Sequence, residues 1–151
     1  MYKPRLRRLD SLFSDTPVYF LTACTLNRRH LLANSEIHHQ FRVFAAGAEK
    51  FNVTVGRYVL MPDHVHLFAA FSPKSPSLSK WVKALKGTLS SGFRAAGIAG
   101  LYWQDGFFDH VLRSEESYAE KWLYVCQNPV RAGLVKRAED WPFQGEMFPL
   151  L

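Results

Sequence analysis

Hydrophobic positions along the chain follow the two-residue period of strands in some segments and the helical period of about 3.6 residues in others. Runs of β-branched and aromatic residues predict strands at residues 18–26, 53–60, 64–71 and 107–113. Helical spacing predicts three helices. The first begins at Ser35 and the second at Leu78, while the third follows Ser114 as its N-cap and runs to about Gln127. This order of elements predicts an α+β fold with a mostly antiparallel sheet and flanking helices.

The chain is predicted to hold one domain, over residues 17–151, because 151 residues suit a single hydrophobic core. Residues 1–16 carry several basic side chains and little that could be buried, so they are predicted to form a basic arm. No apolar stretch approaches the ~20 residues that cross a bilayer, and no apolar segment of a signal peptide follows the arm. With Cys24 and Cys126 predicted to be reduced thiols, we expect a cytoplasmic protein and no membrane partner.

The charge balance favours a polyanionic partner. Lysine and arginine number 19 against 13 aspartates and glutamates, a net charge of +6. A basic domain of this size attracts nucleic acid first, which would place it at the nucleoid. The candidate DNA-binding cations are Lys80, Lys83 and Lys86, the arm residues Arg5, Arg7 and Arg8, and also Lys121, Arg28, Arg29, Arg113 and Arg131. Trp81, near the three lysines, is a candidate ring for stacking on an unpaired base. Arg113 ranks highest among the cations, because it ends a strand that is expected to run next to the candidate active site.

Two histidines separated by one residue are the first candidate for chemistry. On a strand, His64 and His66 point to the same face, so they can present two imidazoles to one metal ion. The alternation with Val65 and Leu67 predicts that the histidine face is open to solvent. Two solvated surface histidines are the alternative interpretation. A closed zinc site is excluded because it needs four ligands. A nucleotide-hydrolase histidine triad is also excluded, because Phe68 occupies the position where the third histidine would be.

A second candidate pair lies on the predicted third helix. Tyr124 and Asn128 are four residues apart and so share one face, together with Lys121, while Tyr118 and Val125 fall on the predicted core side. A phenol, an amide and a cation beside two imidazoles predict metal-assisted phosphoryl transfer. Alternatively, Tyr124 is a plain surface tyrosine, and Asn128 caps a following short helix with Pro129 at its first position.

Four segments in order carry a family resemblance. They are Met61-Pro62-Asp63-His64-Val65-His66, the run Trp103-Gln104-Asp105-Gly106-Phe107-Phe108-Asp109-His110-Val111-Leu112-Arg113, the run from Tyr124 to Val135 around Asn128-Pro129, and Trp141-Pro142-Phe143. Over residues 18–143 the chain resembles the single-tyrosine HUH transposases, in particular the REP-associated tyrosine transposases. The glycine-rich entry into the first strand that is common in that branch is replaced here by Ser14-Asp15-Thr16-Pro17.

The resemblance implies a ferredoxin-like or RRM-like sheet and a single-strand DNA endonuclease and strand transferase. It implies that His64, His66 and Asn128 bind Mg²⁺ or Mn²⁺ and that Tyr124 is the nucleophile. Cleavage beside a DNA hairpin would then leave a 5′-phosphotyrosine and a free 3′-OH, in a protein that acts as a monomer or a homodimer. Tyr118 is a second tyrosine on the same helix, but it lacks an asparagine partner.

Two other function classes compete with this prediction. A module of the same fold could recognise hairpin DNA or RNA without catalysis, although such a binder has no need of the histidine, tyrosine and asparagine set. A hydrolase of small phosphate compounds is disfavoured because the chain has no glycine-rich loop that would cradle a phosphate.

Overall fold

The computed structural model of this protein describes residues 16–150, so the predicted arm with Arg5, Arg7 and Arg8 lies outside the described residues. The elements within that range are β1 Val18–Cys24, α1 Ser35–Gly47, β2 Val53–Leu60, β3 His64–Phe71, α2 Leu78–Ala95, β4 Phe108–Leu112, α3 Glu115–Val125, α4 Asn128–Arg131 and β5 Gln144–Glu146. All four predicted strands and all three predicted helices are present, with ends that differ by a few residues.

The strands form one antiparallel sheet in the order β4-β1-β3-β2-β5. Strands β2 and β3 form an antiparallel hairpin, and β1 inserts between β3 and β4. The fifth strand was not predicted, because its three residues around Gly145 show no hydrophobic alternation, and it forms by pairing with Arg57–Val59 of β2. This α+β architecture agrees with the predicted fold class.

Both faces of the sheet are covered. On one face, alternate residues such as Leu21 and Leu67 pack with α1 and α2 into the larger core. On the other face, Phe68 and its neighbours pack with Tyr118 of α3 and with Trp141 of the C-terminal segment. Since side chains alternate along β3, His64 and His66 lie on this second face, the one that α3 covers.

The third helix ends earlier than the sequence predicted. Ser114 accepts a hydrogen bond from the backbone N–H of Ser117 at 3.2 Å, which caps the start of α3 as expected. The helix stops at Val125, and Asn128 begins the separate short helix α4. The predicted capping role of Asn128 is wrong by one position, because Gln127 precedes α4 and Asn128 is its first residue.

Gly56 of β2 allows α3 to lie close to the sheet. A Cβ atom at this position would stand 2.6 Å from the Tyr118 hydroxyl oxygen, so only glycine leaves room for the phenol. The hydroxyl instead accepts a hydrogen bond from the backbone N–H of Arg57 at 3.1 Å. The register of β2 and β3 shifts at this point, between Val55 and Tyr58. The absence of a side chain at Gly56 thus allows α3 to lie close above this face of the sheet.

Candidate active site

The two histidines of β3 lie side by side, with their ring centroids 4.7 Å apart. Each ring is held by a hydrogen bond at Nδ1. The Nδ1 of His64 pairs with Oδ1 of Asp63 at 2.8 Å, and the Nδ1 of His66 pairs with Oγ1 of Thr22 at 2.7 Å. A neutral imidazole that donates from Nδ1 keeps its lone pair on Nε2, the arrangement found in metal-binding histidines.

The prediction that the histidine face is open to solvent is wrong, because α3 covers part of this face. The His64 side chain is only 14% exposed. Burial lowers the pKa of His64 even though Asp63 opposes the change. Burial also lowers the pKa of His66 to about 3, helped by the nearby basic groups of His64, Lys121 and Arg131. Both imidazoles are therefore neutral near pH 7, the form that binds a metal ion.

The carboxylate that holds His64 is itself held by an arginine. Arg28 donates from Nε to Oδ2 of Asp63 at 2.7 Å, while the other oxygen of Asp63 holds His64. Burial raises the pKa of Asp63, but the hydrogen bond and charge of His64 and the charge of Arg28 outweigh it, so the net pKa is lowered. Arg28 reaches this carboxylate from a left-handed backbone conformation with φ of 53°, which is uncommon for a residue other than glycine.

Tyr124 is exposed and lies under an arginine. Its side chain is 63% exposed. The guanidinium carbon of Arg131 stands 4.1 Å from the centre of the Tyr124 ring. Arg131 also donates to the backbone oxygen of Tyr124 and to Oδ1 of Asn128, both at 2.9 Å. Arg131 thus joins the tyrosine of α3 to the asparagine of α4.

Lys121 connects this helix pair to the histidines. Its Nζ stands 4.9 Å from the ring centre of Phe20 and 5.9 Å from that of Tyr124. The Phe20 ring in turn stacks on His66, with centroids 5.1 Å apart and planes 26° apart. The two motifs, which lie about sixty residues apart in the chain, therefore share one face of the sheet and are bridged by a cation.

The other tyrosine of α3 is in a different environment. Tyr118 is 4% exposed, and its ring packs on Phe68. Burial raises its pKa to about 12, so the phenol stays neutral at any physiological pH. Tyr118 is a core residue with a hydrogen-bonded hydroxyl, and Tyr124 is the tyrosine of α3 that a substrate can reach.

The lysines of α2 are not part of this site. Lys80, Lys83 and Lys86 belong to a helix that packs on the opposite face of the sheet. Lys86 donates to the backbone oxygens of Gln104 at 2.9 Å and Gly106 at 2.6 Å, so it holds the loop before β4. Trp81, expected to contribute beside these lysines, is 3% exposed and packs in the core. The expectation that it could stack on a base is wrong.

The expected position of Arg113 next to the site is also wrong. Thr22 of β1 pairs with His66 on one side and with Phe108 on the other, while Leu112 pairs with Val18 at the opposite end of β1. Arg113 follows Leu112 and so lies far along the sheet from the histidines. It is the first residue of β4, Phe108, that faces the histidine end. DNA binding by Arg113 stays a prediction.

Sequence reasoning missed the residues that orient the imidazoles. Asp63 had a local signal, since it directly precedes His64 and a metal-binding histidine commonly pairs with a carboxylate. Thr22 had none, because its contact with His66 exists only through the register of β1 and β3, 44 residues apart in sequence. Arg28 was one of several candidate cations, and only the structure pairs it with Asp63.

The candidate site carries donor atoms of the types that bind a divalent metal ion. Within residues 16–150 no three His, Cys, Asp or Glu side chains converge on a metal-binding position, so a third protein ligand would have to be of another type. Asn128 offers an amide oxygen with two lone pairs, one of which accepts from Arg131. Two imidazoles and an amide suit Mn²⁺ or Mg²⁺ and leave coordination positions open for a substrate.

Comparisons with known proteins identify the family of the chain. The model of the family "Transposase IS200 like" matches residues 16–121, which include the histidine pair and end before Tyr124 and Asn128. A REP-associated tyrosine transposase of Escherichia coli K12 is 25% identical over 125 residues, which cover 83% of this chain and 73% of that protein. A Haemophilus influenzae protein described in the same way is 22% identical, over 87% of this chain and 80% of its own length.

Solved structures show the same fold. A REP-associated tyrosine transposase bound to a REP hairpin superposes with a TM-score of 0.69 at 24% identity, over 85% of this chain and 75% of that chain. A protein from Deinococcus radiodurans described as a transposase gives a TM-score of 0.52 over 73% of this chain and 88% of its own. No helix within residues 16–150 is long and apolar enough to cross a membrane. The chain belongs to the IS200-like transposase family, and its relatives include REP-associated tyrosine transposases, as the order of its motifs predicted.

Proposed function

We propose that this protein is a metal-dependent single-strand DNA endonuclease and strand transferase that acts beside a DNA hairpin during transposition. Membership of a transposase family supports the class of reaction. The hairpin bound to the structurally similar REP-associated tyrosine transposase supports the class of substrate. The metal dependence and the roles of single residues rest on the site described above.

One observation carries the proposal. Two neutral imidazoles, each with Nδ1 engaged in a hydrogen bond, share a sheet face with an exposed tyrosine that is flanked by two cations. A protein that only bound a hairpin would gain nothing from orienting both imidazoles in this way. The cations Lys121 and Arg131 give the face the charge that a phosphate requires.

The chain supplies the nucleophile and the groups that position it. A bound Mg²⁺ or Mn²⁺, held by His64, His66 and Asn128, would polarise the scissile phosphate. The hydroxyl oxygen of Tyr124 attacks phosphorus and loses its proton to solvent. The bond from phosphorus to the 3′ oxygen breaks, and that oxygen takes up a proton. The products are a 5′-phosphotyrosine and a free 3′-OH, and attack by a 3′-OH on the phosphotyrosine reverses the step and joins strands.

The cations around Tyr124 have separate parts in this scheme. Lys121 lies between Phe20 and Tyr124, where it can neutralise a phosphate that approaches the histidines. Arg131 holds the backbone of Tyr124 and the amide of Asn128, so it keeps the nucleophile and the third metal ligand in register. The side chain of Tyr124 makes its aromatic contacts with these two cations and leaves most of its surface to solvent.

The test is covalent capture on a denaturing gel. The full chain is mixed with labelled single-stranded DNA from the flanks of its gene, with Mn²⁺ or with EDTA. We expect a metal-dependent protein–DNA adduct that is lost in Tyr124→Phe while DNA binding survives. Tyr118→Phe is the matched control, since it removes the phenol oxygen that is buried in the core, and it should still form the adduct. A wild-type gel shift with no adduct would instead favour the non-catalytic hairpin-binding module.

A further inference from the structure

The first residue of β4 is an exposed phenylalanine beside the candidate active site. Phe108 is 69% exposed, an unusual environment for so large an apolar side chain on an edge strand. It pairs directly with Thr22, which pairs directly with His66 on the other side of β1. Directly paired residues of an antiparallel sheet point to the same face, so Phe108 and His66 share one face.

The sheet spacing places Phe108 at a distance that suits a substrate of the same site. Neighbouring strands lie about 4.8 Å apart, so two strand spacings put Phe108 roughly 10 Å from His66. An unpaired nucleotide whose phosphate lay at the histidines could extend its base over that distance. The Phe108 ring is therefore near enough to hold a base next to the scissile phosphate.

The residues around Phe108 have the chemistry of a single-strand binding surface. His110 lies two residues further along β4 on the same face and pairs with Phe20, over which Lys121 stands at 4.9 Å. Asp109 alternates to the opposite face and so keeps its negative charge away. Exposed aromatic rings beside cations are the features with which proteins bind unpaired bases and their phosphates.

The geometry points to Phe108 as a stacking platform for one unpaired nucleobase of single-stranded DNA, adjacent to the phosphate that is cleaved. The inference rests on the proposed function, since the base is placed by a phosphate bound at the histidines. It adds a binding subsite on the edge strand, with His110 and Lys121 beside it, that is separate from the metal ligands and from the nucleophile. Because Phe108 is exposed on an edge strand, a base can reach its ring without any opening of the fold.

The test measures base stacking directly and without cleavage. Oligonucleotides that carry 2-aminopurine at one position on either side of the cleavage point are titrated with protein in EDTA, and the fluorescence quench of the probe is followed. The variants are Phe108→Ala and Phe108→Trp. Phe51→Ala is the matched control, because Phe51 is also exposed, at 63%, and lies before β2 at the other end of the sheet.

We expect the wild-type protein to quench the probe at one position. Phe108→Ala should abolish that quench and weaken DNA binding by about 5- to 150-fold. Phe108→Trp should restore both the quench and the affinity for DNA. Phe51→Ala should behave as wild type. If Phe108→Ala binds and quenches as wild type does, the stacking subsite is refuted and the proposed nuclease stands. If wild type binds no single-stranded DNA and forms no adduct with Mn²⁺, the proposed function itself fails.

Discussion

Replacing Thr22 by valine removes the hydroxyl that orients His66 and keeps the shape of the side chain. The Thr22 Oγ1 atom lies 2.7 Å from Nδ1 of His66, and valine has the same branching at Cβ, so strand packing is retained. Without an acceptor at Nδ1, the imidazole can place its proton on Nε2, the nitrogen that the metal needs. We expect Thr22→Val to weaken metal binding while the protein stays folded.

The size of the effect follows from the two roles of this hydrogen bond. Loss of such a partner from a metal-binding histidine lowers metal affinity by about 10- to 100-fold, which corresponds to about 1.4–2.8 kcal/mol. The Nδ1 group is also left without its partner in a partly buried position, which costs about 1–3 kcal/mol of folding free energy. The cleavage defect should therefore be recovered at high metal concentration, since the nucleophile is untouched.

The assay is a titration with Mn²⁺ in which free Mn²⁺ is followed by electron paramagnetic resonance, alongside urea unfolding. Thr54→Val is the control, because Thr54 is a strand threonine that pairs with Ala70, four residues along β3 from His66. An Mn²⁺ affinity of Thr22→Val within twofold of wild type, in a folded protein, would show that the hydroxyl does not govern the metal site. Loss of adduct that high Mn²⁺ fails to recover would show that Thr22 acts in some other way.

Two further predictions follow from the environments of His66 and Lys86. The unfolded chain takes up a proton on His66 near pH 6.5 but the folded chain only near pH 3, so stability present above pH 6.5 is lost as the pH falls towards 3. The loss is about 1.6 kcal/mol between pH 6.5 and pH 5. Urea unfolding at both pH values should show this loss, and an equal loss in His66→Gln would contradict the prediction. Lys86→Met should cost about 1–3 kcal/mol of stability through the lost carbonyl contacts. It should leave the salt dependence of DNA binding unchanged, whereas a shallower slope would show that Lys86 contacts phosphate.

The strands and helices could be predicted because local periodicity determines them. The segment 64–71 begins with alternating polar and apolar residues and continues as a short apolar run, and its predicted bounds equal those of β3. The end of α3 could not be predicted in the same way, because residues up to Gln127 are compatible with a helix and the break depends on how α4 starts. The short strand β5 carries no pattern of its own, and it exists only because the edge of β2 is available for pairing.

The residues of the candidate site could be predicted only where their spacing in the sequence is itself informative. His64 and His66 have the spacing that places two side chains on one face of a strand, and the structure confirms it. The spacing of Tyr124 and Asn128 predicted one face of a single helix, which is wrong, because α3 ends at Val125 and Asn128 begins α4; Arg131 holds the two residues together instead. The residues that contact the histidines, such as Thr22, have no such spacing in the sequence. The position of Arg113 was misjudged because its distance from the histidines depends on the direction and register of β4 against β1, which hydrophobic periodicity does not contain.

Register also explains why the candidate site and the proposed stacking surface belong together. One row of paired residues crosses three strands and consists of Phe108, Thr22 and His66. The pairing of β1 with both of its neighbours therefore sets the distances between all three. A slip of one residue between β1 and β3 would turn Thr22 to the opposite face and leave His66 without its partner. The core residues Val18 and Leu21 prevent such a slip, since each would exchange one core for the other. The apolar alternation of β1 thus determines the geometry of the polar site, to which the strand itself contributes the Thr22 hydroxyl and the Phe20 ring.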